Sequence, residues 1–208
     1  MTVGIYWDCP GLSIAIGWRG AHLRLSFYHI LLYFIDTYAE YPYVKDCGSM
    51  VTIGVISDTH LKAVSSELVD IYENYLSDVE MIFHAGDLVC LEIADYLSQK
   101  PLHVVQGNMD TVDVRERFPK KEIVEVGGFR LGLIHGWGSP LGIERRIRSE
   151  FNDVHAIIYG HSHRPSNHAD EGVLFFNPGT ATGFRMAGSN SIGILDIADT
   201  IKGTIIPV

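Results

Sequence analysis

Five short clusters in this 208-residue chain combine metal-ligating residue types with glycine or a strand end. They are Asp58-Thr59-His60, Gly86-Asp87, Gly107-Asn108-Met109-Asp110, His135-Gly136 and Gly160-His161-Ser162-His163. Singly, each has a plainer reading. Asp-x-His is often a turn aspartate with a surface histidine, Gly-Asp a turn or helix cap, and Gly-Asn a tight turn. A lone His135 reads as a hydrogen-bonded strand-end histidine. Gly-His-Ser-His is more telling, because two imidazoles flanking one residue can face one cation or two adjacent ones. All five follow apolar runs, and layered α/β sheets build ligand sites outside the carboxyl ends of their strands. Together they point to a metal centre. Asp58, Asp87 and Asn108 supply oxygen donors, and His60, His135, His161 and His163 supply nitrogen. Such a mixed set suits Mn, Fe, Zn, Co or Ni over Ca or thiolate-bound metals, with manganese the first expectation.

The elements that must position these clusters are legible from residue 51 onward. VTIGVIS (51–57), MIFHAG (81–86) and LHVVQGN (102–108) read as strands. Between them, 65–78 and 90–99 carry apolar residues at helical spacing, with Ser65 as N-cap. A β-α-β-α-β order implies a partly parallel, layered α/β sheet. Beyond it, 122–126 and 130–135 flank Gly127-Gly128-Phe129 as a hairpin. Residues 142–151 form an amphipathic helix whose Arg145, Arg146 and Arg148 read as solvated. Strands are expected at 155–160 and 173–179, and the tail (191–197, 201–208) reads as a closing hairpin.

The first fifty residues differ in composition. They hold ten of the 22 aromatics and a nearly balanced charge, three Lys or Arg against four Asp or Glu. Their apolar run at 26–35 is too short to span a membrane, which takes about 20 residues, and it lacks the order of a signal peptide. Three readings stay open for 1–49: a dispensable or disordered extension ahead of a start at Met50, an interfacial or partner-binding helix, or part of the core. The net charge of −9 argues against general nucleic-acid or anionic-membrane binding, which wants surplus Lys and Arg. Two divalent cations would still make a phosphate substrate acceptable locally. Cys9, Cys47 and Cys90 are scattered without a C-x-x-C, so a cytoplasmic location is expected.

In their order, the five clusters resemble the calcineurin-like metallophosphoesterase superfamily, whose pattern is D-x-H, G-D, G-N, H and G-H-x-H. The resemblance covers 51–208 and is nearest the small bacterial and archaeal phosphodiesterase branch, which also carries an Asn-Pro-Gly segment, here Asn177-Pro178-Gly179. It implies an α/β fold, a four-layer αββα sandwich with mixed sheets. It also implies two divalent metal ions. The first would take Asp58, His60, Asp87 and His163; the second Asp87, Asn108, His135 and His161, with Asp87 bridging. Hydrolysis of a small phosphodiester by attack of a metal-bound hydroxide follows, with Asp87, Asn108, Asp110 and His135 in catalytic roles. Asn108 and Arg164 would bind substrate, although a solvated Arg164 is an equal reading.

The resemblance also brings competitors. A similar domain serves as a scaffold subunit of the retromer coat, so a non-catalytic or weakly catalytic protein-interaction scaffold on the same fold is the alternative. Protein phosphatases and dinucleoside-polyphosphate hydrolases share the metal site, but they resemble one another in Gly-Asp-x-x-Asp-Arg-Gly and Gly-Asn-His. This chain has Gly86-Asp87-Leu88-Val89-Cys90 and Gly107-Asn108-Met109 instead. Met109 replaces a histidine thought to assist the leaving group, and Asp110 is the nearest ionisable substitute. His84, His103 and His155 read as structural, and a homo-oligomer is left open.

Overall fold

The computed structural model describes residues 50–183 and 190–208, so the readings that concern 1–49 lie outside the described residues. Ten strands follow in chain order: β1 Val51–Ile56, β2 Met81–His84, β3 Leu102–Val104, β4 Lys121–Val126, β5 Phe129–Ile134, β6 Ala156–Tyr159, β7 Ser166–Asp170, β8 Val173–Asn177, β9 Ser191–Ile197 and β10 Ile201–Pro207. Four helices accompany them: α1 Ser66–Ile71, α2 Leu91–Leu97, α3 Val112–Arg117 and α4 Ile143–Arg148.

The strands form two five-stranded sheets, ordered β10-β9-β1-β2-β3 and β4-β5-β6-β8-β7. Both are mixed. β1, β2 and β3 run parallel, as do β5, β6 and β8, while β9, β10, β4 and β7 pair antiparallel at the flanks.

Period-two alternation explains the layers. Ile53 and Val55 of β1, Leu131 and Leu133 of β5, and Ala156 and Ile158 of β6 share one buried cluster between the sheets. Their strand neighbours point the other way. Ile56 and Ile82 meet Leu68 and Ile71 of α1, Ile93 and Leu97 of α2, and Val114 of α3. Ile134, Ile157 and Tyr159 meet Ile143 and Ile147 of α4. A strand buried on both faces must be apolar at every position, which is why β1, β2 and β6 read as unbroken hydrophobic runs. Each full burial of such a side chain contributes about 1.5–3 kcal/mol. The result is the four-layer αββα arrangement.

Ser65 caps α1, its hydroxyl accepting from the Leu68 N–H at 3.2 Å. The predicted helix 65–78 is α-helical only to Ile71. It then widens into a π turn over Tyr72–Leu76, closed by the Ser77 N–H on the Tyr72 carbonyl at 2.8 Å. Neither α3 nor β7 is expected from the sequence. β7 (SNHAD) is polar and largely exposed, and its shape comes from its ladder with β8 at the sheet edge. Among the described residues, no helix is long and apolar enough to cross a membrane.

Candidate metal centre

The parallel strands deliver their carboxyl ends to one region. Asp58 and His60 follow β1, Asp87 follows β2, Asn108 follows β3, His135 follows β5, and His161 and His163 follow β6. Five of these seven residues take the left-handed backbone conformation: Asp58, His60, Asp87, His161 and His163, with φ between 50° and 66°. Non-glycine residues are uncommon there, and Asp and His are among the more tolerant types. Such strain persists where the surroundings over-determine it, as at ligand clamps. The surroundings are visible. The Asp58 and His60 N–H groups donate to the carbonyls of Gly86 and Asp87, each at 3.0 Å. Thr180 donates its hydroxyl to the Asp58 carbonyl at 2.9 Å, and Thr182 donates to the Thr59 carbonyl.

Two glycines let the carboxylates lie against backbone. A Cβ at Gly107 would collide with the Asp87 carboxylate, and one at Gly160 with the Ser57 hydroxyl and the Asp58 carboxylate. Both aspartates are buried. The Asp58 carboxylate accepts from the Ser57 hydroxyl at 2.5 Å and the His161 N–H at 3.0 Å. The Asp87 carboxylate accepts from the Met109 N–H at 2.7 Å.

At His135 and His161 a ring nitrogen left as a lone pair faces another acceptor, and at His60 and His163 the donor and acceptor roles follow the tautomer. His135 donates Nδ1–H to the Ala85 carbonyl at 2.7 Å. Its buried Nε2 has no hydrogen-bond partner and faces Asp87 Oδ2 at 3.3 Å. His161 donates Nε2–H to the Gly138 carbonyl at 2.7 Å, which turns Nδ1 toward the Asn108 amide oxygen at 2.8 Å. The Nε2 atoms of His60 and His163 lie 3.2 Å apart, and Asp58 Oδ1 is 3.8 and 3.1 Å from them. Acceptors facing acceptors call for a cation between them, either a proton or a metal. Asp58, His60 and His163 offer ligand atoms within 4.8 Å of one another, as do Asp58, Asp87 and His135. The donor set therefore fits divalent metal, and the bond from His135 Nδ1 to a carbonyl is the usual outer support of a metal-binding imidazole.

The electrostatics agree. Burial opposes charge on His135, yet contact with Asp87 and the charge of Asp58 raise its pKa to about 8. Asp58 likewise raises His163 against burial. Burial alone would raise Asp87, but His135, the Met109 N–H and His60 hold it below the usual carboxylate range. His84 behaves oppositely. Fully buried, it is pushed down to about 4. Its Nδ1 accepts from the Gly86 N–H at 3.2 Å and its Nε2 meets the Thr59 hydroxyl at 3.2 Å, a neutral supporting imidazole.

All seven expected ligands converge, whereas two other expected site residues do not. Asp110 is the nearest ionisable residue that the sequence offers for the leaving group. Its two oxygens instead accept the N–H groups of Val89 and Gly107, each at 2.6 Å, tying the loop after β2 to the loop after β3. That makes it a positioning residue. Arg164 is exposed and lines a separate cavity of about 370 Å³ with Leu141, Tyr159 and Ser162. Arg146, read as solvated, bonds the carbonyls of Trp137 (3.1 Å), Leu141 (3.2 Å) and Ser139, bracing the 136–142 loop.

Three supporting residues escape ligand-type reasoning: Asn177, Thr180 and Thr182. Buried Asn177 donates to the Gly160 carbonyl at 2.9 Å and the Ser162 hydroxyl at 3.0 Å, fixing the loop that carries both terminal imidazoles. The signal for all three is the placing of polar residues at and just beyond the end of an apolar strand. His103 pairs with Glu122 at 3.0 Å and His155 accepts from the Arg130 N–H at 3.0 Å, both structural as read.

Residues 51–200 match the family model described as the calcineurin-like phosphoesterase superfamily domain. A probable metallophosphoesterase of Methanocaldococcus jannaschii is 35% identical over 165 residues, 77% of this chain and 83% of that protein. Among solved structures, an archaeal phosphodiesterase aligns with TM-score 0.57 and 25% identity, covering 76% of this chain and all (100%) of that one. Zinc-complexed Vps29 of Entamoeba histolytica aligns with TM-score 0.58 and 24% identity, over 76% and 99%.

Proposed function

This chain belongs to the calcineurin-like phosphoesterase superfamily and is a metal-dependent phosphoesterase, and from that footing we propose that it hydrolyses phosphodiester bonds at a dinuclear centre. The observation that carries the proposal is the set of facing lone-pair atoms. Asp58, His60 and His163 would hold one cation, and Asn108, His135 and His161 a second, with Asp87 between them. Two divalent ions, manganese foremost, would supply an activated water and offset charge on the phosphoryl oxygens. The protein's own part is to keep the ligands in place. His135 is oriented through the Ala85 carbonyl, Asp87 through the Met109 N–H, and the Asn108 loop through Arg115 on its backbone carbonyl at 2.7 Å.

A diester is favoured over a monoester by what surrounds the cluster. Where relatives acting on other phosphates continue Gly-Asp to an Asp-Arg-Gly segment, this chain has half-buried Cys90 and Leu91 and exposed Glu92, so the segment brings no arginine for a dianion. The archaeal phosphodiesterase among the structural neighbours supports the same class. The scattered cysteines favour a cytoplasmic setting. The likeness to Vps29, at 24% identity, speaks to the fold alone. A complete donor set favours the enzyme over a scaffold.

Metal analysis of the purified protein, with hydrolysis of bis(p-nitrophenyl) phosphate measured across Mn, Fe, Zn, Co and Ni, tests the reading. Two metal equivalents and metal-dependent turnover are expected. A protein that binds no divalent metal, or binds it without turnover in any metal, returns the scaffold reading.

A further inference from the structure

A phosphodiester brings two ester arms to its reaction centre, and a cavity beside the ligand cluster is not used by metal binding. It measures about 400 Å³ and lies where the end of β3, the start of β4 and the end of β5 meet. Gln106, Gly107, Lys120, His135, Gly136 and Trp137 contribute to its lining. Two of these belong to the site as well. Gly107 carries the Asp87 carboxylate against its backbone, and His135 faces Asp87 through Nε2. The cavity therefore adjoins the cluster through two shared residues.

Trp137 gives the cavity its chemistry. Its side chain is 43% exposed although indole is among the residues that gain most from burial. It is not on a slack loop. Arg146 grips the Trp137, Ser139 and Leu141 carbonyls, and His161 holds the Gly138 carbonyl. The backbone that carries this flat apolar ring is thus held in place two residues after a metal-ligand candidate. The volume lies within the range of small-ligand sites, roughly 300–1,000 Å³, and admits a nucleoside.

Resting on the phosphodiesterase reading, we propose that this cavity is the subsite for an aromatic ester arm stacked on Trp137, and that the substrate class is a small nucleoside phosphodiester. The net charge of −9 sets the size, since it disfavours long nucleic acid while leaving a one- or two-nucleotide molecule acceptable.

The test uses the metal-loaded full chain hydrolysing bis(p-nitrophenyl) phosphate, with adenosine monophosphate and methyl phosphate as competing inhibitors of equal charge. Adenosine monophosphate is expected to inhibit at least about tenfold more tightly than methyl phosphate, as base–aromatic stacking provides. Trp137→Ala is expected to erase that preference, and Trp137→Phe, which keeps a ring, to retain most of it. Hydrolysis without any preference for adenosine monophosphate, or a preference unchanged in Trp137→Ala, overturns the subsite alone. Absence of hydrolysis with every metal overturns the phosphodiesterase reading, and the subsite falls with it.

Discussion

Asp87 has contacts on both sides of the cluster, so its removal should be felt by both proposed cations. Asp87→Ala is expected to lose most bound metal and nearly all turnover, while His103→Ala, whose partner is Glu122 on β4, stays near the parent level. Metal content and diester hydrolysis measured on the same samples decide it. Full metal and normal turnover in Asp87→Ala would sink the two-metal reading. Two histidines give the metal-free protein a defined pH response. His135 titrates at about 8 when folded against 6.5 unfolded, so its contribution is complete below 6.5 and lost as pH rises through 8. That loss is on the order of 2 kcal/mol. His84 sits at about 4, so its penalty is absent above 6.5 and grows as pH falls toward 4. Urea denaturation of metal-free protein should therefore show greatest stability near pH 6.5, and a curve still rising at pH 8 would count against the His135 assignment. Met109 gives a kinetic expectation. Its thioether is 60% exposed and has no proton to donate, while both Asp110 oxygens are engaged by backbone. A positioned general acid is worth roughly 10²–10⁴-fold, so rates should fall steeply as leaving-group pKa rises across a diester series. A flat dependence with chemistry rate-limiting would reveal another acid. At this scale the sequence was informative about which ligand candidates come together, because type and spacing mark them. It was silent on Asp110's orientation, because the same carboxylate can face a metal or turn into its own loop.

At the scale of elements, the ligand loops are held less by their own residues than by partners distant in sequence. Asp110 joins the loops after β2 and β3, and Asp110→Ala would leave the Val89 and Gly107 N–H groups without it. Each buried unsatisfied donor costs about 1–3 kcal/mol, so urea denaturation should show a loss of at least about 2 kcal/mol together with weaker metal binding. An unchanged midpoint would mean that other groups hold those loops. The strands that converge on the site were legible because burial on both faces makes them continuous apolar runs. The Gly127-Gly128 hairpin was legible from its turn. β7 was not, since an edge strand of polar residues is defined by the neighbour it pairs with. The π turn after α1 was hidden for a related reason: apolar spacing marks which face is buried and not how wide the helical turn is. Arg146 read as solvated because its three carbonyl partners belong to a loop with no periodicity to announce it.

For the molecule as a whole, all ten strands and all seven ligand candidates lie within 50–208 among the described residues. A chain beginning at Met50 is expected to give a native circular dichroism spectrum and full activity per site. An insoluble or unfolded product would assign 1–49 to the core. The ligands are also divided by sheet. Every oxygen donor and one imidazole follow strands of the first sheet, and the other three imidazoles follow β5 and β6 of the second. The first sheet is itself unfinished until β9, near the end of the chain, enters beside β1. A growing chain would thus expose a carboxylate-rich half-set first and the imidazoles later, each half a poor competitor for scarce metal. The full donor set therefore exists only where both sheets are in place, so metal binding reports on the assembly of the two layers together.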